Sequence, residues 1–324
     1  MAGRTIEAMN APTSLRLSPD VLHRCHERSA GRHLARFAVF VLIYFGSAAG
    51  AITVATQATS LWPFILNLPL YLLAAASLHG ISLFTHEAVH GTLAENHALN
   101  ATLGSLCALP VLQNFSAYRV LHLDHHQHLG DAGDPDHYAN YTRWSWLVFC
   151  MNWLRLLVGY PVYIAAIPFL GFKQGTPRDR IGIMAELLAA LLLGGLALSI
   201  IPTPWLLHGW LIPMLFINTM VNIRGMSQHT LLEQASDAVH GTRSILTRPW
   251  VRFFMCNENY HLEHHLYPGV PWHHLPEVHS ALEPELSRQG APYIASYGSF
   301  VKEFFIHSIR RSPWGWRSSR KPVE

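Results

Sequence analysis

The chain has 324 residues, of which 50% are hydrophobic and 13% are charged, and its formal net charge is +3 at pH 7. The charged share is about half of the ~25% found in soluble domains, and the mean hydropathy is +0.17. This composition argues against a soluble enzyme and is typical of a protein with several membrane spans. We expect no nucleic-acid partner.

The cysteines are scattered and form no C-x-x-C pair. They are therefore expected to be reduced bystanders, and not disulfides, a zinc knuckle or an iron–sulfur ligand set. The four positions are Cys25, Cys107, Cys150 and Cys256.

Residues 1–36 are polar and carry six arginines but no lysine. Within them, Ser18-Pro19-Asp20 predicts a helix start, with Ser at the cap and Pro at the first helical position. We expect residues 1–36 to form a cytoplasmic N-terminal segment whose interfacial helix leads into the bilayer.

Two apolar stretches predict four spanning helices, because one span needs about 20 apolar residues. Residues 37–85 contain no Asp, Glu, Lys or Arg, which predicts spans at Phe37–Thr56 and Leu61–Thr85. Residues 181–223 repeat the pattern around a turn at Pro202-Thr203-Pro204, with Glu186 as the only charge. The prediction is two hairpins.

Basic residues set the expected orientation. Arginines crowd before the first span, three basic residues lie at 173–180, and neither hairpin turn contains Lys or Arg. The positive-inside rule then puts both termini and all long loops in the cytoplasm. Two further apolar stretches, Ala98–Ala117 and Trp144–Gly171, are expected to be re-entrant or interfacial helices. A protein with six or more spans remains the alternative.

Histidines recur at helical spacing in three places, as His-Glu-Ala-Val-His at 86–90, His-Leu-Asp-His-His at 122–126 and His-Leu-Glu-His-His at 261–265. Spacings of three and four residues put the rings on one helix face. Each such ring needs a polar partner, and a metal ion is one. A polar stripe of Asn218, Asn222 and His229 in the last span adds a further histidine. The predicted ligands are His86, His90, His122, His125, His126, His229, His261, His264 and His265.

A single metal ion would leave most of these histidines without a role. His-Glu-x-x-His alone suggests a zinc protease, but a catalytic zinc takes three protein ligands and keeps one open position. The count therefore favours a dinuclear site. Imidazole suits zinc, copper, iron and nickel, so the ligand type does not decide the metal.

Four carboxylates lie close in sequence to the predicted ligands. They could accept hydrogen bonds from the far ring nitrogens of those histidines, which would orient the rings. Solvated loop charges are the alternative. The four are Glu87, Asp124, Glu258 and Glu263. The nearby Gly133-Asp134-Pro135-Asp136 is expected to form a turn near the site entrance.

The three histidine motifs between two membrane hairpins resemble the membrane-bound fatty-acid desaturase family, over residues 79–276. Residues 259–271 (NYHLEHHLYPGVP) are similar to the third histidine box and its flank, and Ser227-Gln228-His229-Thr230 to the extra histidine segment of related desaturases. The resemblance implies an all-α integral membrane protein with a cytoplasmic helical cap that carries a di-iron site. It also implies a reaction that uses dioxygen and two electrons.

By the same resemblance, residues 37–276 would be the membrane desaturase-like domain and residues 277–324 a cytoplasmic C-terminal segment. The expected activity is desaturation of a long-chain acyl lipid. Because the chain contains no cysteine cluster, haem-attachment motif or dinucleotide fingerprint, electrons are expected from a separate ferredoxin or small cytochrome with its reductase.

Other functions remain open. A carotenoid ketolase or hydroxylase, or a lipid hydroxylase, would share the metal site, and His86–Gly91 and Pro271-Trp272 resemble the ketolase branch. A metal transporter with histidine-rich loops and a membrane zinc protease are the more distant alternatives.

Overall fold

The computed structural model describes residues 13–57, 62–131, 133–136, 144–232 and 237–310. The first half of the chain contains α1 Pro19–Cys25, α2 Ala30–Gln57, α3 Trp62–Val89, α4 His97–Ala108, α5 Phe115–His128 and α6 Ser145–Gln174. The second half contains α7 Pro177–Ile200, α8 Thr203–Leu206, α9 Ile212–His229, α10 Ala238–Gly241, β1 Ser244–Ile245, α11 Pro249–Phe254, α12 His261–Leu266, α13 Leu275–Arg288, β2 Tyr293–Ile294 and α14 Tyr297–Arg310.

The N-terminal helix begins where the sequence predicts. Ser18 precedes α1 and Pro19 occupies its first turn, although the Ser18 side chain makes no capping hydrogen bond. Three parts of the predicted topology lie outside the described residues. They are Arg4 among the arginines before the first span, residues 58–60 of the expected first turn, and the basic tail beyond residue 310.

Helix α3 is the centre of the membrane bundle and packs against α2, α4 and α9. A close approach of α2 is possible at Gly80, where an added Cβ would lie 2.5 Å from the ring of Phe40. The main apolar core gathers around this contact, with Leu78, Phe84 and Phe115 among its buried members. The helix thereby fixes the position of His86 and His90 near its C-terminal end.

The stretch Ala98–Ala117 does not form one spanning helix. Helix α4 ends at Ala108 and spans only about 18 Å, whereas the bilayer core is about 30 Å thick. Leu112 then adopts a left-handed backbone conformation, φ 58°. Helix α5 starts afresh, with the side chain of Asn114 accepting from the backbone N–H of Ala117. This break turns the chain so that α5 carries its histidines back toward α3.

Helix α6 is continuous through its two prolines. The sequence predicted a re-entrant or interfacial helix at Trp144–Gly171, and the structure has one helix of 30 residues, with Pro161 and Pro168 inside it, that is also long and apolar enough to cross a membrane. Pro161 lacks an N–H, which frees the carbonyl of Leu157. The side-chain amide of Asn218 on α9 donates to that carbonyl at 3.1 Å and accepts from the N–H of Tyr160 at 2.9 Å.

Within the described residues, five helices are long and apolar enough to cross a membrane, one more than the four expected. The additional helix is α6, through its residues 149–174. The second hairpin forms where predicted, since α7 ends at Ile200 and α8 begins at Thr203. The fourth expected span continues beyond Ile223 and reaches His229 through α9.

Outside the bundle, the N-terminal segment packs against the C-terminal part of the chain. Leu15, Leu17 and Cys25 share an apolar cluster with residues of α12 and α13. Strands β1 and β2 form a short parallel pair, Ser244 with Tyr293 and Ile245 with Ile294. The expected domain boundaries at 36 and 276 remain a prediction.

The contact between α6 and α5 provides a test of the fold. At Gly171, an added Cβ would lie 2.8 Å from the Cα of Ala117, which is backbone and cannot rotate away. Gly171→Ala should therefore lower the free energy of unfolding by about 1–3 kcal/mol. The measurement is the midpoint temperature of thermal unfolding in detergent, which should be lower. The control is Gly194→Ala on α7, where nothing lies within 4 Å. Equal midpoints for the two variants would contradict the packing of α6 on α5.

Candidate metal centre

Four helices deliver the histidines. The C-terminal end of α3 supplies His86 and continues into His90, one face of α5 supplies three rings, α9 ends at His229, and the short α12 supplies the last three rings. The three- and four-residue spacings within α5 and α12 turn the rings of each helix to one side. All nine predicted histidines meet in one cluster.

The first group has five members, whose nitrogen donor atoms lie within 4.8 Å of one another. They are His86, His90, His122, His126 and His264. Nε2 of His122 lies 3.0 Å from Nε2 of His90 and 3.1 Å from Nε2 of His126. Nε2 of His264 lies 3.3 Å from Nε2 of His126, so α12 closes the group that α3 and α5 begin.

The second group contains His125, His229 and His265, whose donor atoms also lie within 4.8 Å of one another. Nε2 of His261 joins it, at 3.1 Å from Nε2 of both His229 and His265. The two groups touch, because the rings of His126 and His265 stack with centroids 4.1 Å apart. The arrangement is thus two adjoining sets of nitrogen donors.

Burial keeps most of these rings neutral. It lowers the pKa of His90 to about 3, assisted by repulsion from His261. The pKa values of His122, His126 and His264 are also well below the ordinary value, mainly through burial and then through neighbouring imidazoles. Neutral imidazole is the form that binds a metal ion.

The close nitrogen contacts show that these residues fit a metal ion. A neutral imidazole has one N–H donor and one lone pair, so the several Nε2 atoms that converge on His122 and His261 cannot all be paired with one another. Nε2 of His86 is buried and has no hydrogen-bond partner among the described residues. A cation among the rings would use these lone pairs at once.

A carboxylate that the sequence analysis assigned to a turn orients one of the rings. Oδ1 of Asp134 accepts from Nδ1 of His125 at 2.8 Å, and the backbone N–H groups of Gly130 and Asp136 hold the Asp134 carboxylate at 2.8 Å. Burial lowers the pKa of His125, but the hydrogen bond and the nearby aspartates outweigh it, so the net pKa is raised. Because Nδ1 is held in this way, Nε2 faces the cluster.

Of the four carboxylates predicted to accept from ligand rings, Glu258 lies within 4 Å of two of those rings. Its Oε1 is 3.4 Å from Nδ1 of His261 and 3.9 Å from Nε2 of His86. Its other oxygen forms an ion pair with Arg224 of α9. Arg224 was not among the predicted site residues, although it is the single charged residue of α9 and a charge in a spanning segment marks a functional site or its partner.

The other three carboxylates contact different groups, which corrects the prediction. Glu87 accepts from the hydroxyl of Thr92 at 2.7 Å and the backbone N–H of Trp272 at 3.1 Å. Asp124 lies 2.9 Å from Nδ1 of His128, which is outside the nine.

Glu263 is fully buried. It accepts from Nδ1 of His279 at 2.5 Å, from Tyr293 and from Ser244. The carboxylates of Glu87 and Glu263 thus fasten α3 and α12 to neighbouring segments. Their hydrogen-bond partners are Thr92, Trp272, Ser244, His279 and Tyr293, none of which is among the nine histidines. A sequence pattern gives residue order but not the direction of a side chain on so short a helix as α12.

Known proteins with similar sequences point to one family. A family model described as fatty acid desaturase matches residues 60–297. The chain is 30% identical to a dihydrorhizobitoxine desaturase of Bradyrhizobium elkanii, over 78% of this chain and 76% of that protein.

Two further relatives are more distant. An sn-1 acyl-lipid omega-3 desaturase (ferredoxin) of Synechocystis is 23% identical, over 81% of this chain and 78% of that protein. A beta-carotene ketolase of a Paracoccus species is 26% identical, over 61% of this chain and 73% of that protein.

The chain belongs to the fatty acid desaturase family, because the family model covers well over half of it. The resemblance identified from the histidine motifs is thereby confirmed. Together with the five apolar helices, family membership identifies a multi-pass membrane oxidoreductase.

The contact between Asp134 and His125 can be tested by substitution. Asp134→Asn should weaken metal binding by about 10–100-fold, because the ring loses the carboxylate that orients it. The measurement is the metal bound per chain during titration with a competing chelator. Asp131→Asn, an exposed carboxylate of the same loop, should bind like the unchanged protein. If both variants bind equally well, Asp134 has no part in holding the site.

Proposed function

We propose that the nine histidines hold two iron ions and that the protein is an oxygenase that uses dioxygen and two electrons to desaturate a long-chain acyl lipid. The observation that carries this proposal is the pair of adjoining nitrogen-donor groups. One ion would bind within the group of five rings. The second would bind among His125, His229, His261 and His265.

When bound, iron supplies the oxidising power to remove hydrogen from an unactivated methylene, which no side-chain base can do. The protein contributes the rest. Asp134 and Glu258 hold rings on the outer side of the cluster. Burial excludes water around His86, His125 and His264, which are at most 3% exposed, and thereby protects the site from side reactions.

The proposed substrate enters from the lipid phase. The rings of His86 and His229 stand at the ends of two apolar helices, α3 and α9. A long apolar chain can follow these helices to the rings without crossing water, whereas a polar substrate would lose its hydration on the same path. How the chain is held then decides between desaturation and hydroxylation, since both begin with removal of the same hydrogen.

We further propose that α2, α3, α7 and the helix α8–α9 cross the bilayer, while α6 lies near the interface. In support, both halves of α6 pack on segments close to predicted ligands: Gly159 lies against Asn222 of α9, and Gly171 lies against Ala117 of α5. Four crossings put both termini on the side of the histidine cluster. The basic residues around 173–180 make that side cytoplasmic by the positive-inside rule.

Electrons would come from a separate protein, a ferredoxin or a small cytochrome with its reductase. The sequence carries no motif for a redox cofactor besides the histidines, and the name of the Synechocystis relative includes the word ferredoxin.

A carotenoid ketolase is the second candidate, because a beta-carotene ketolase is among the relatives. A zinc protease is disfavoured by Glu87, its required general base, whose carboxylate is bound by Thr92 and Trp272. A transporter is disfavoured because such proteins put their ligands at mid-membrane in broken helices, whereas His86 and His229 lie at helix ends.

The substrate can be identified by mass spectrometry of lipids, with double-bond localisation, from a host that expresses this chain. We expect a new double bond in an acyl chain, absent from the same host expressing His264→Ala. That variant removes a member of the five-ring group, and His264 lies on α12, outside the helices long enough to span a membrane. A new keto carotenoid with unchanged acyl chains would instead establish the ketolase.

The shared centre makes a second prediction. His86→Ala, His125→Ala and His264→Ala should each abolish turnover and lower the iron content of the purified protein, because removal of one ring leaves a gap that no neighbour fills. His23→Ala, a histidine of α1 outside the cluster, is the control and should keep both. Full activity in two of the three cluster variants would refute a common centre.

A further inference from the structure

A second group of potential ligands lies away from the imidazole cluster, where α1 meets the start of α13. The thiol of Cys25, the ring of His274 and the carboxylate of Glu277 each bring one donor atom within 4.8 Å of the others. Cys25 is completely buried, and Oε2 of Glu277 lies 3.4 Å from Nδ1 of His274. We propose that these three residues bind a zinc ion that fastens α1 to α13.

The donor types favour zinc. A thiolate, an imidazole and a carboxylate are the three side-chain groups that zinc binds in proteins, usually with four ligands in all. Three protein donors leave one position for water. Calcium and magnesium are disfavoured, because they take oxygen ligands and do not select a buried thiol.

The surroundings of Glu277 also suit a ligand. Its Oε1 accepts from Nε of Arg24 at 2.7 Å, which fixes the carboxylate and leaves Oε2 directed toward His274. Carboxylates that bind metal ions are commonly held by such a second hydrogen bond. The simpler alternative is a hydrogen-bonded cluster in which the Cys25 thiol keeps its proton.

The Cys25 thiol lies in the apolar cluster with α12 and α13, away from solvent. Burial, and then the charge of Glu277, raises the pKa of Cys25 to about 11. A thiol of this kind is a poor nucleophile, because the thiolate is the reactive form. On binding zinc, the thiol proton would pass to solvent and the sulfur would bond to the ion, with no change of oxidation state.

The site lies where the N-terminal segment covers the chain that follows the third histidine motif. The hydroxyl of Tyr267 donates to the carbonyl of Leu15 and accepts from the N–H of Leu17. Further along, Nε1 of Trp272 donates to Nδ1 of His33 at 3.1 Å. A zinc ion at Cys25 would hold this cover in place without touching the nine rings.

Metal analysis of the purified full chain tests the proposal. We expect about one zinc per chain, lost in Cys25→Ser and in Glu277→Gln, with iron content unchanged in both. Cys150→Ser, a cysteine of α6 outside the group, should keep its zinc. Arg24→Gln should bind zinc about 10-fold more weakly, because Arg24 orients the carboxylate.

Cobalt substitution gives a second measurement that needs no cysteine variant to fold. Cobalt bound by a thiolate absorbs through sulfur-to-metal charge transfer, whereas cobalt bound by imidazoles alone does not. The band should appear in the unchanged protein and persist in His264→Ala, which damages the histidine cluster. Zinc content that is equal in the unchanged protein and Glu277→Gln, or cobalt loading without the band, would overturn the zinc site and leave the di-iron proposal untouched.

Discussion

The structure depends on a set of buried imidazoles that cannot satisfy one another. Each neutral ring offers one donor and one acceptor, yet the Nε2 atoms of His90, His122 and His126 lie within 3.1 Å of a neighbouring Nε2. Burying such polar atoms without partners costs several kcal/mol in total. Only a cation uses all the lone pairs together. The helix ends that carry the rings must therefore be placed accurately, and contacts elsewhere in the fold fix their positions.

Two kinds of contact hold the rings in place. On the outer side, His125 donates to Asp134, and Nδ1 of His229 lies 3.1 Å from the carbonyl of Gly241, so the Nε2 atoms face inward. Behind the rings, the buried carboxylates of Glu87 and Glu263 tie α3 and α12 to their surroundings. The first kind orients single rings and the second holds whole helices. A metal centre needs both, because a ligand that can swing away binds weakly.

The long apolar helices differ in how much of their surface the protein buries. In the most apolar stretch of α3, 61% of the residues are buried within the protein, whereas in that of α7 only 6% are. Helix α3 is surrounded because it packs against α2, α4 and α9, and its C-terminal end joins the histidine cluster. Helix α7 exposes leucine and isoleucine side chains such as Leu191 and Leu198, which suits contact with lipid tails. One polar contact from α7, the carboxylate of Glu186 with Ser105 and Ser116, anchors it to α4 and α5.

The sequence by itself determined the histidine clusters, the positions of four of the five long apolar helices and the second hairpin, because helical spacing and hydrophobic runs act within one segment. Tertiary structure decided the rest. Whether Pro161 ends a helix depended on Asn218, which supplies the missing hydrogen bonds from another helix. Tertiary structure also decided which carboxylates contact the nine histidines. The loop after α5 brings Asp134 to His125, whereas Glu263 of α12 contacts His279, which is outside the nine. Cys25 and His274 met because α1 packs on α13. Such pairings join residues far apart in the chain, and no local pattern encodes them.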